Sequence, residues 1–257
     1  MLIFYFALLI PSSGPDLIGI MSAMEVELEF ISDDMLTERV DTIGASVYRI
    51  GEFEQMSCVM VHSGIGKVVA AHTAQTLVTR YGVDAVIFTG VAGGIDPSLS
   101  IGDIVISKYV VQHDFGQILP DRFIPFDTVG FVADSLLVQL AQTAAADVAW
   151  ERIPEAIRGE EEMPRVRVGR IATGDQFISS EAKRLWIERT FHADCVEMEG
   201  AAVAQICELY GVPFVIIRSL SDLANEDAEV DFQSFVIYAA KNSSMLVKEM
   251  LRLLRSQ

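Results

Sequence analysis

Short apolar runs rich in β-branched residues recur along the chain, and most of them are followed by a stretch with helical character. The runs predict six strands, at residues 17–21, 57–62, 85–89, 103–107, 166–172 and 213–218. The intervening stretches predict helices at residues 67–81, 132–144, 199–210 and 231–254. This alternation is typical of a largely parallel or mixed sheet with helices on both faces, so we predict an α/β fold.

The most polar stretch, residues 151–164, is predicted to be a solvated surface loop. Because the strand pattern resumes at Val166, this loop does not separate two domains. A chain of 257 residues has a length that a single α/β unit often reaches. We therefore predict one domain over residues 17–257.

The first 16 residues are predicted to be an accessory N-terminal extension. Their opening segment, MLIFYFALLI, is too short to span a bilayer. A secretion signal has a basic n-region, whereas no Lys or Arg precedes Arg39, and residues 11–15 have the composition of a linker. We expect a cytoplasmic protein, with export through this segment as the alternative.

The composition indicates a folded globular protein that does not bind polyanions. Hydrophobic residues make up 51% of the chain and charged residues only 21%, which excludes a disordered chain. With 19 basic and 36 acidic residues the net charge is −17, and no run of Lys or Arg forms a basic patch. Because this charge repels phosphate backbones and anionic lipids, we expect neither nucleic acid nor a membrane as a partner.

Cysteine and histidine are too few and too widely spaced to predict a disulfide framework or a structural metal site. No CxxC motif occurs, and the number of cysteines is odd. We therefore expect buried, reduced thiols and no metal ion. The residues concerned are Cys58, Cys195, Cys207, His62, His72, His113 and His192.

Three glycine-bearing turns follow predicted strands, at residues 63–67, 89–94 and 172–178. Ligands bind at the carboxyl ends of strands in open α/β sheets, so each turn is a candidate binding loop. The first does not match a dinucleotide fingerprint, because Val69 stands where the third glycine belongs. The second allows close approach of a ligand to backbone N–H groups or simply packs tightly. The third carries Phe177, which either stacks on a planar ligand or belongs to the core.

Several carboxylates interrupt apolar sequence near predicted strand ends. Glu197 and Glu199 lie between an apolar strand and an apolar helix, and Asp222 ends the run that begins at Pro213. Glu27 follows the first strand. Carboxylates in such positions either cap helices or belong to a site, and local sequence leaves both interpretations open.

Six motifs, taken in their order and approximate spacing, resemble those of the 5′-methylthioadenosine/S-adenosylhomocysteine nucleosidase family. The resemblance extends from about Leu17 to the C-terminus. It implies a single three-layer α/β/α domain of the nucleoside phosphorylase type with a mixed twisted sheet, usually in a homodimer, and a nucleoside substrate without a cofactor. The motifs are IGIMSAMEVE at 18–27, SGIGK at 63–67, TGVAGG at 89–94, GDQFI at 174–178, VEMEG at 196–200 and RSLSD at 218–222.

The resemblance assigns the catalytic roles to three positions. Asp222 matches the general acid that protonates purine N7, which requires a raised pKa, and Ser221 helps to hold its carboxyl group. Glu27 matches the carboxylate that activates the attacking water. This division between an acid and a base is the one that inverting glycoside hydrolases use.

The remaining assignments concern substrate binding. Glu199 matches the residue that binds the ribose hydroxyls, and its charge stabilises the developing positive charge on the sugar. Phe177 is expected to stack on adenine while the Ile178 backbone reads the purine edge. The glycine turn contributes Ala92 and Gly93. The ribose and the 5′-alkylthio group are expected to contact Met198, Met24, Ile65 and Phe232.

Phosphorolysis is the competing chemistry, because related phosphorylases hold phosphate with arginines. One such arginine lies near the position of Glu27, and another precedes the glycine turn, where this chain has Phe88 and Thr89. Glu27 would repel a phosphate dianion by several kcal/mol at about 4 Å and an effective dielectric constant of about 20. We therefore expect hydrolysis, with a phosphorylase and a noncatalytic nucleoside-binding protein as alternatives.

Two departures from the family pattern concern the 5′ end of the site. Val91 stands where many nucleosidases have a serine, and residues 115–120 differ from the usual loop. We expect residues 115–126 to be shared between the subunits of a dimer. The 5′ substituent is left open among methylthioadenosine, S-adenosylhomocysteine, 5′-deoxyadenosine and 6-amino-6-deoxyfutalosine, because GVAGG, VQHD and GDQF also resemble nucleosidases of the futalosine pathway.

Overall fold

A mixed sheet of ten strands forms the centre of the computed structural model, which describes residues 15–153 and 163–255. Two further short strands, β7 and β8, form a separate hairpin. The twelve strands are β1 (Leu17–Ser22), β2 (Leu36–Ile43), β3 (Ser46–Phe53), β4 (Met56–His62), β5 (Ala85–Gly94), β6 (Ile104–Gln112), β7 (Gly116–Ile118), β8 (Phe123–Pro125), β9 (Phe131–Val132), β10 (Val166–Thr173), β11 (Cys195–Glu197) and β12 (Phe214–Asp222).

Helices cover both faces of this sheet. One apolar cluster packs α2 and α5 against one face, and a second packs α3 and α6 against the other. The predicted α/β fold with a mixed central sheet is therefore confirmed. The helices are α1 (Glu29–Ser32), α2 (Lys67–Thr76, continued by a π-helical turn at Leu77–Tyr81), α3 (Ser135–Ala144), α4 (Glu181–Phe191), α5 (Gly200–Tyr210) and α6 (Ala228–Arg255).

The order of the strands is β11-β10-β6-β12-β5-β1-β4-β3-β2. The candidate motifs come together where several of these strands end. Strand β11 pairs in parallel with β10 and antiparallel with β5, so the sheet curls until these strands meet. In this register Val196 lies opposite Gly93, and Glu197 lies opposite Thr173. The closure brings the glycine turn at the end of β5 beside the carboxylates that follow β11.

Burial explains which elements the sequence reveals. All nine residues of β12 and five of the six residues of β1 are buried, and β1 and the first half of β12, residues 214–217, are accordingly apolar runs. All six predicted strands are present. However, β5, β6 and β12 continue beyond the predicted ends, to Gly94, Gln112 and Asp222. The additional residues are mostly small or polar, as expected where strands end beside a candidate ligand-binding site.

The regular elements missing from the sequence prediction include β2, β3 and α4. Most residues of β2 are exposed, so no apolar run marks the β2–β3 hairpin. Helix α4 is rich in charged residues, and its first turn is capped by Ser180, which accepts a hydrogen bond from the Lys183 N–H. The helix predicted from residue 132 begins instead at Ser135, because Asp134 caps it. Glu199 likewise precedes α5 rather than opening it.

Some sequence predictions fall outside the described residues. Only residues 15 and 16 of the N-terminal extension are described, and the surface loop predicted at residues 151–164 is described only at its ends. All three cysteines are buried and unbonded, as predicted. Within the described ranges, no helix combines the length and hydrophobicity needed to cross a bilayer, and no group of three or more His, Cys, Asp or Glu is arranged to hold a metal ion.

Candidate active site

A cleft of about 570 Å³ opens where β1, β5, β11 and β12 end. Five residues that the sequence analysis did not assign also line it, namely Ala23, Val91, Gln176, Val196 and Glu197. The structure brings together in this cleft all the residues that the sequence analysis assigned to the site: Asp222, Glu27, Ser221, Glu199, Met198, Phe177, Ile178, Ala92, Gly93, Met24, Ile65 and Phe232.

The carboxylate of Glu27 is fixed by backbone donors from two segments. Its Oε2 accepts hydrogen bonds from the N–H groups of Ala23 (2.9 Å) and Met24 (2.8 Å), and its Oε1 accepts one from Val91 N–H (2.9 Å). Burial raises the pKa of Glu27, while the charge of Arg218 and these hydrogen bonds lower it. The side chain is therefore held in one orientation at the bottom of the cleft.

The carboxylate of Asp222 is held by residues next to it in sequence. The Ser221 hydroxyl donates to Oδ2 of Asp222 (2.9 Å), and the Ala224 N–H donates to Oδ1 (2.9 Å). Ala224 has a φ of 52°, the left-handed conformation, in the turn that follows β12. Burial raises the pKa of Asp222 to about 6, against the opposing effect of these two hydrogen bonds. Asp222 thus carries a proton up to a higher pH than an ordinary aspartic acid.

Two glycines of the TGVAGG turn leave the space that these carboxylates occupy. A Cβ on Gly90 would lie 2.5 Å from Oε1 of Glu27, and a Cβ on Gly93 would lie 2.6 Å from Oδ1 of Asp222. Neither position tolerates a side chain without displacing a carboxylate. The absence of side chains at these two positions therefore lets both carboxylates pack against the turn. The sequence alone did not indicate this function of the glycines.

Glu199 connects the cleft to the start of α2. Its Oε1 accepts a hydrogen bond from Gly66 N–H (2.7 Å), across 133 residues of sequence. Burial first, and then the nearby charge of Glu197, raise the pKa of Glu199 to about 8. Gly66 has a φ of 104°, a conformation that glycine adopts without strain.

A buried ion pair lies behind the cleft. Arg218 Nη2 donates to Oε2 of Glu197 (2.6 Å), and both side chains are almost completely buried. Glu197 also accepts from the Thr173 hydroxyl and from Gly200 N–H (2.7 Å). The guanidinium lies 4.2 Å from the centre of the Phe88 ring. Arg218 was assigned no role from the sequence, although a charged residue directly after the apolar run 214–217 indicates a buried charge that needs a partner.

Aromatic and aliphatic side chains form the outer wall of the cleft. The rings of Phe177 and Phe232 meet edge to face, with centroids 5.8 Å apart and an interplanar angle of 81°. Phe177 is 48% exposed and Ile65 is 60% exposed, whereas Ile178 is buried. Phe177 is thus not a core residue, and its exposed surface is available to a planar ligand.

Comparison with known proteins gives the same family that the motifs resemble. Residues 17–252 match the phosphorylase superfamily. The 5′-methylthioadenosine/S-adenosylhomocysteine nucleosidase of Mycobacterium tuberculosis is 34% identical over 248 residues, which cover 92% of this chain and 97% of that protein.

Similarity to solved structures supports the same family. The nucleosidase of the same name from Neisseria meningitidis, in complex with methylthio-immucillin-A, superposes with a TM-score of 0.81 at 32% identity and covers 93% of this chain and 99% of its own. The futalosine hydrolase of Helicobacter pylori gives a TM-score of 0.79 at 31% identity, covering 91% and 97%. The family resemblance of the six motifs is confirmed: the chain belongs to the phosphorylase superfamily and, within it, to the 5′-methylthioadenosine/S-adenosylhomocysteine nucleosidases.

Proposed function

We propose that the protein hydrolyses the N-glycosidic bond of 5′-substituted adenosines, foremost 5′-methylthioadenosine and S-adenosylhomocysteine, and releases adenine and the 5′-substituted ribose. The observation that carries this proposal is the presence of two separately held carboxylates, Glu27 and Asp222, in one cleft with an aromatic wall. An acid and a base in such an arrangement perform inverting glycoside hydrolysis.

Asp222 acts as the general acid in this proposal. Its raised pKa, about 6, leaves a useful fraction of the group protonated near neutral pH. The proton passes to purine N7, so that adenine leaves as a neutral base. Ser221 and Ala224 N–H hold the carboxyl group through both protonation states.

Glu27 acts as the base that activates water on the other side of the sugar. A base must be ionised; burial leaves the pKa of Glu27 above that of an ordinary glutamic acid, and the charge of Arg218 together with three backbone N–H groups limits this rise. Because these donors occupy fixed positions, the carboxylate does not need to reorganise during the reaction.

Glu199 binds the ribose hydroxyls, and Met198 lines the sugar. Because its pKa is raised to about 8, Glu199 is mostly protonated at neutral pH and binds the hydroxyls as a neutral hydrogen-bonding group; only its ionised fraction stabilises the positive charge that develops on the ribose as the C–N bond breaks. The hydrogen bond from Gly66 N–H holds Glu199 toward the cleft. The purine stacks on Phe177, and the Ile178 backbone contacts its edge.

Charge favours hydrolysis over phosphorolysis. Among the residues that the structure describes, no lysine or arginine lines the cleft. Arg218 lies behind the cleft and is paired with Glu197. A phosphate dianion placed beside ionised Glu27 would be repelled by about 8 kcal/mol at 4 Å and an effective dielectric constant of about 20, twice the value for two unit charges.

The outer wall supports the choice of 5′ substituent. Met24, Ile65 and Phe232 give that end of the cleft an apolar surface, which suits an alkylthio group. The name of the mycobacterial relative and the ligand of the neisserial structure point to the same substrates. The similarity to a futalosine hydrolase makes 6-amino-6-deoxyfutalosine the second candidate.

The cellular setting belongs to the same proposal. We infer a cytoplasmic enzyme of methionine salvage that works as a homodimer. The dimer is supported by apolar side chains of the segment 115–126, since Phe115 is 51%, Ile118 84% and Phe126 63% exposed. Light scattering at micromolar concentration is expected to give the dimer mass, and Ile118→Asp is expected to give a monomer. A monomeric wild-type protein would contradict this part of the proposal.

The decisive experiment is an adenine-release assay in phosphate-free buffer, with methylthioadenosine, S-adenosylhomocysteine and aminodeoxyfutalosine compared side by side. We expect release without phosphate and the highest kcat/KM with one of the first two. Release only after addition of phosphate, together with ribose 1-phosphate formation, would establish a phosphorylase instead. Tight binding without release would establish a noncatalytic binding protein.

A further inference from the structure

Three polar residues outside the cleft are joined in one cluster. Lys67 Nζ donates to Oδ1 of Asp114 (2.6 Å), and the Asp175 N–H donates to Oδ2 of the same carboxylate (2.9 Å). The Lys67 N–H donates in turn to Oδ1 of Asp175 (2.8 Å). We name these residues the Lys67–Asp114–Asp175 cluster. Each member contacts both of the others, although they lie on three segments far apart in sequence.

The cluster supplies the N-terminal cap that α2 lacks locally. Gly66 precedes the helix and has no side chain to accept a hydrogen bond from the first turn. Asp175, from the loop after β10, takes this role at Lys67 N–H. Its carboxylate also lies at the positive end of the helix dipole.

Each end of the cluster is one residue away from the cleft. Gly66, next to Lys67, donates its N–H to Glu199, and Ile65 lines the wall. Asp175 is followed directly by Gln176, Phe177 and Ile178, all of which line the cleft on the purine side. Lys67, Asp114 and Asp175 themselves do not line it. The cluster thus connects the ribose side to the purine side through the adjacent N–H groups of Gly66 and Lys67 at the start of α2.

We propose that Lys67, Asp114 and Asp175 are positioning residues, which hold the purine-binding loop in register with Glu199 before the substrate binds. The inference rests on the proposed function, because it concerns binding of the base and the ribose of one nucleoside. Both parts of the ligand must meet their partners at once, so a shift of either loop weakens binding and misaligns the glycosidic bond.

The acceptor requirements differ between the two carboxylates, which makes the proposal testable by matched substitutions. Asp114 accepts hydrogen bonds at both oxygens, so Asp114→Asn replaces one acceptor by an NH₂ group that faces a donor. Asp175 uses only Oδ1 as an acceptor, so Asp175→Asn keeps the cap, whereas Asp175→Ala removes it.

The test measures KM and kcat for methylthioadenosine, and the Kd of adenine by calorimetry, in the full-length variants. We expect Asp114→Asn and Asp175→Ala to raise KM and the Kd of adenine by about tenfold or more, with a smaller fall in kcat. Asp175→Asn is expected to stay within about threefold of wild type, since Asn is as good a cap as Asp. Glu54→Gln, which breaks a surface ion pair with Arg252, is the control and leaves all three constants unchanged.

The outcomes separate this inference from the proposed function. If wild type releases adenine and Asp114→Asn has a lower melting temperature but wild-type KM and adenine affinity, the cluster is only structural and the inference is wrong. If Asp175→Asn is as impaired as Asp175→Ala, the cap is not the operative contact and the inference is again wrong. A wild-type protein that releases no adenine would instead contradict the proposed function.

Discussion

Gly93 and Asp222 lie in register on β5 and β12, and a Cβ on Gly93 would come within 2.6 Å of the Asp222 carboxylate. Gly93→Ala is therefore expected to displace the acid without removing it. We expect kcat to fall by about 100-fold, the loss that a misplacement of about 1 Å can cause. Adenine release and thermal melting measure the two effects.

Gly44→Ala provides the control for this prediction. Gly44 has a φ of 61° and nothing lies within 4 Å of its Cβ position, so the substitution strains only the backbone. We expect a loss of about 1 kcal/mol in the free energy of unfolding and unchanged activity. If Gly93→Ala behaved in the same way, the steric role of Gly93 would be excluded.

Asp222 is predicted to be required for activity and, when it is ionised, to destabilise the folded protein. Burial raises its pKa to about 6 from an ordinary value of 3.8, so the folded protein binds this proton more tightly than the unfolded chain does. The stabilising effect of the proton is complete below pH 3.8 and is lost as the pH rises through 6. At pH 8 the ionised carboxylate then costs roughly 3 kcal/mol.

Asp222→Asn removes this cost and the acid together. We expect turnover to fall by about 100-fold or more, while the free energy of unfolding in urea increases at pH 8 and the gain shrinks toward pH 4. In wild type, turnover is expected to decline as the pH rises above 6. A variant that is active, or less stable than wild type at pH 8, would show that Asp222 is not a protonated acid in the folded enzyme.

The Arg218–Glu197 pair is expected to contribute to both folding and catalysis. Arg218→Met leaves Glu197 buried without its cation, and we expect a loss of about 3–5 kcal/mol in the free energy of unfolding. It also removes a charge that lowers the pKa of Glu27, so activity is expected to shift to higher pH. Urea unfolding and a pH profile of kcat measure these effects.

The double variant Arg218→Met with Glu197→Gln separates the two contributions. Because it removes both buried charges, we expect part of the stability to return while activity stays low. Arg252→Met is the control, since Arg252 is 50% exposed and its pair with Glu54 is worth less than about 1 kcal/mol. Recovery of activity together with stability would mean that Arg218 has no influence on Glu27.

Local sequence revealed the parts of the site that lie within motifs, but not the contacts between them. Asp222 and Ser221 are neighbours in sequence, so the contact between their side chains follows from a short motif. The contact between Gly66 and Glu199 spans 133 residues and depends on how β11 closes against β5. No periodicity or propensity encodes such a pairing, because it arises only when the sheet has curled.

The same distinction applies to the fold. Strands β1 and β12 were predicted because burial on both faces gives β1 and the first half of β12, residues 214–217, an apolar sequence. Strand β2 was missed because it lies at the edge of the sheet with most side chains exposed. Arg218 was assigned no role for the opposite reason. The other residues of the predicted strand 213–218 are apolar, so one charged residue did not alter the prediction. Its burial nevertheless requires a partner.

Phe177 is expected to carry the stacking contribution to purine binding. Its ring is 48% exposed and is supported at one edge by Phe232. Removal of a base-stacking aromatic ring costs about 1–3 kcal/mol, so Phe177→Ala should raise the Kd of adenine by about 5-fold to 150-fold. Tyr210→Ala is the matched control, because Tyr210 is also 48% exposed but lies at the end of α5 and does not line the cleft. Calorimetry with adenine compares the two variants directly. Equal affinities would mean that the purine does not lie against Phe177, and that the aromatic wall serves the 5′ substituent instead.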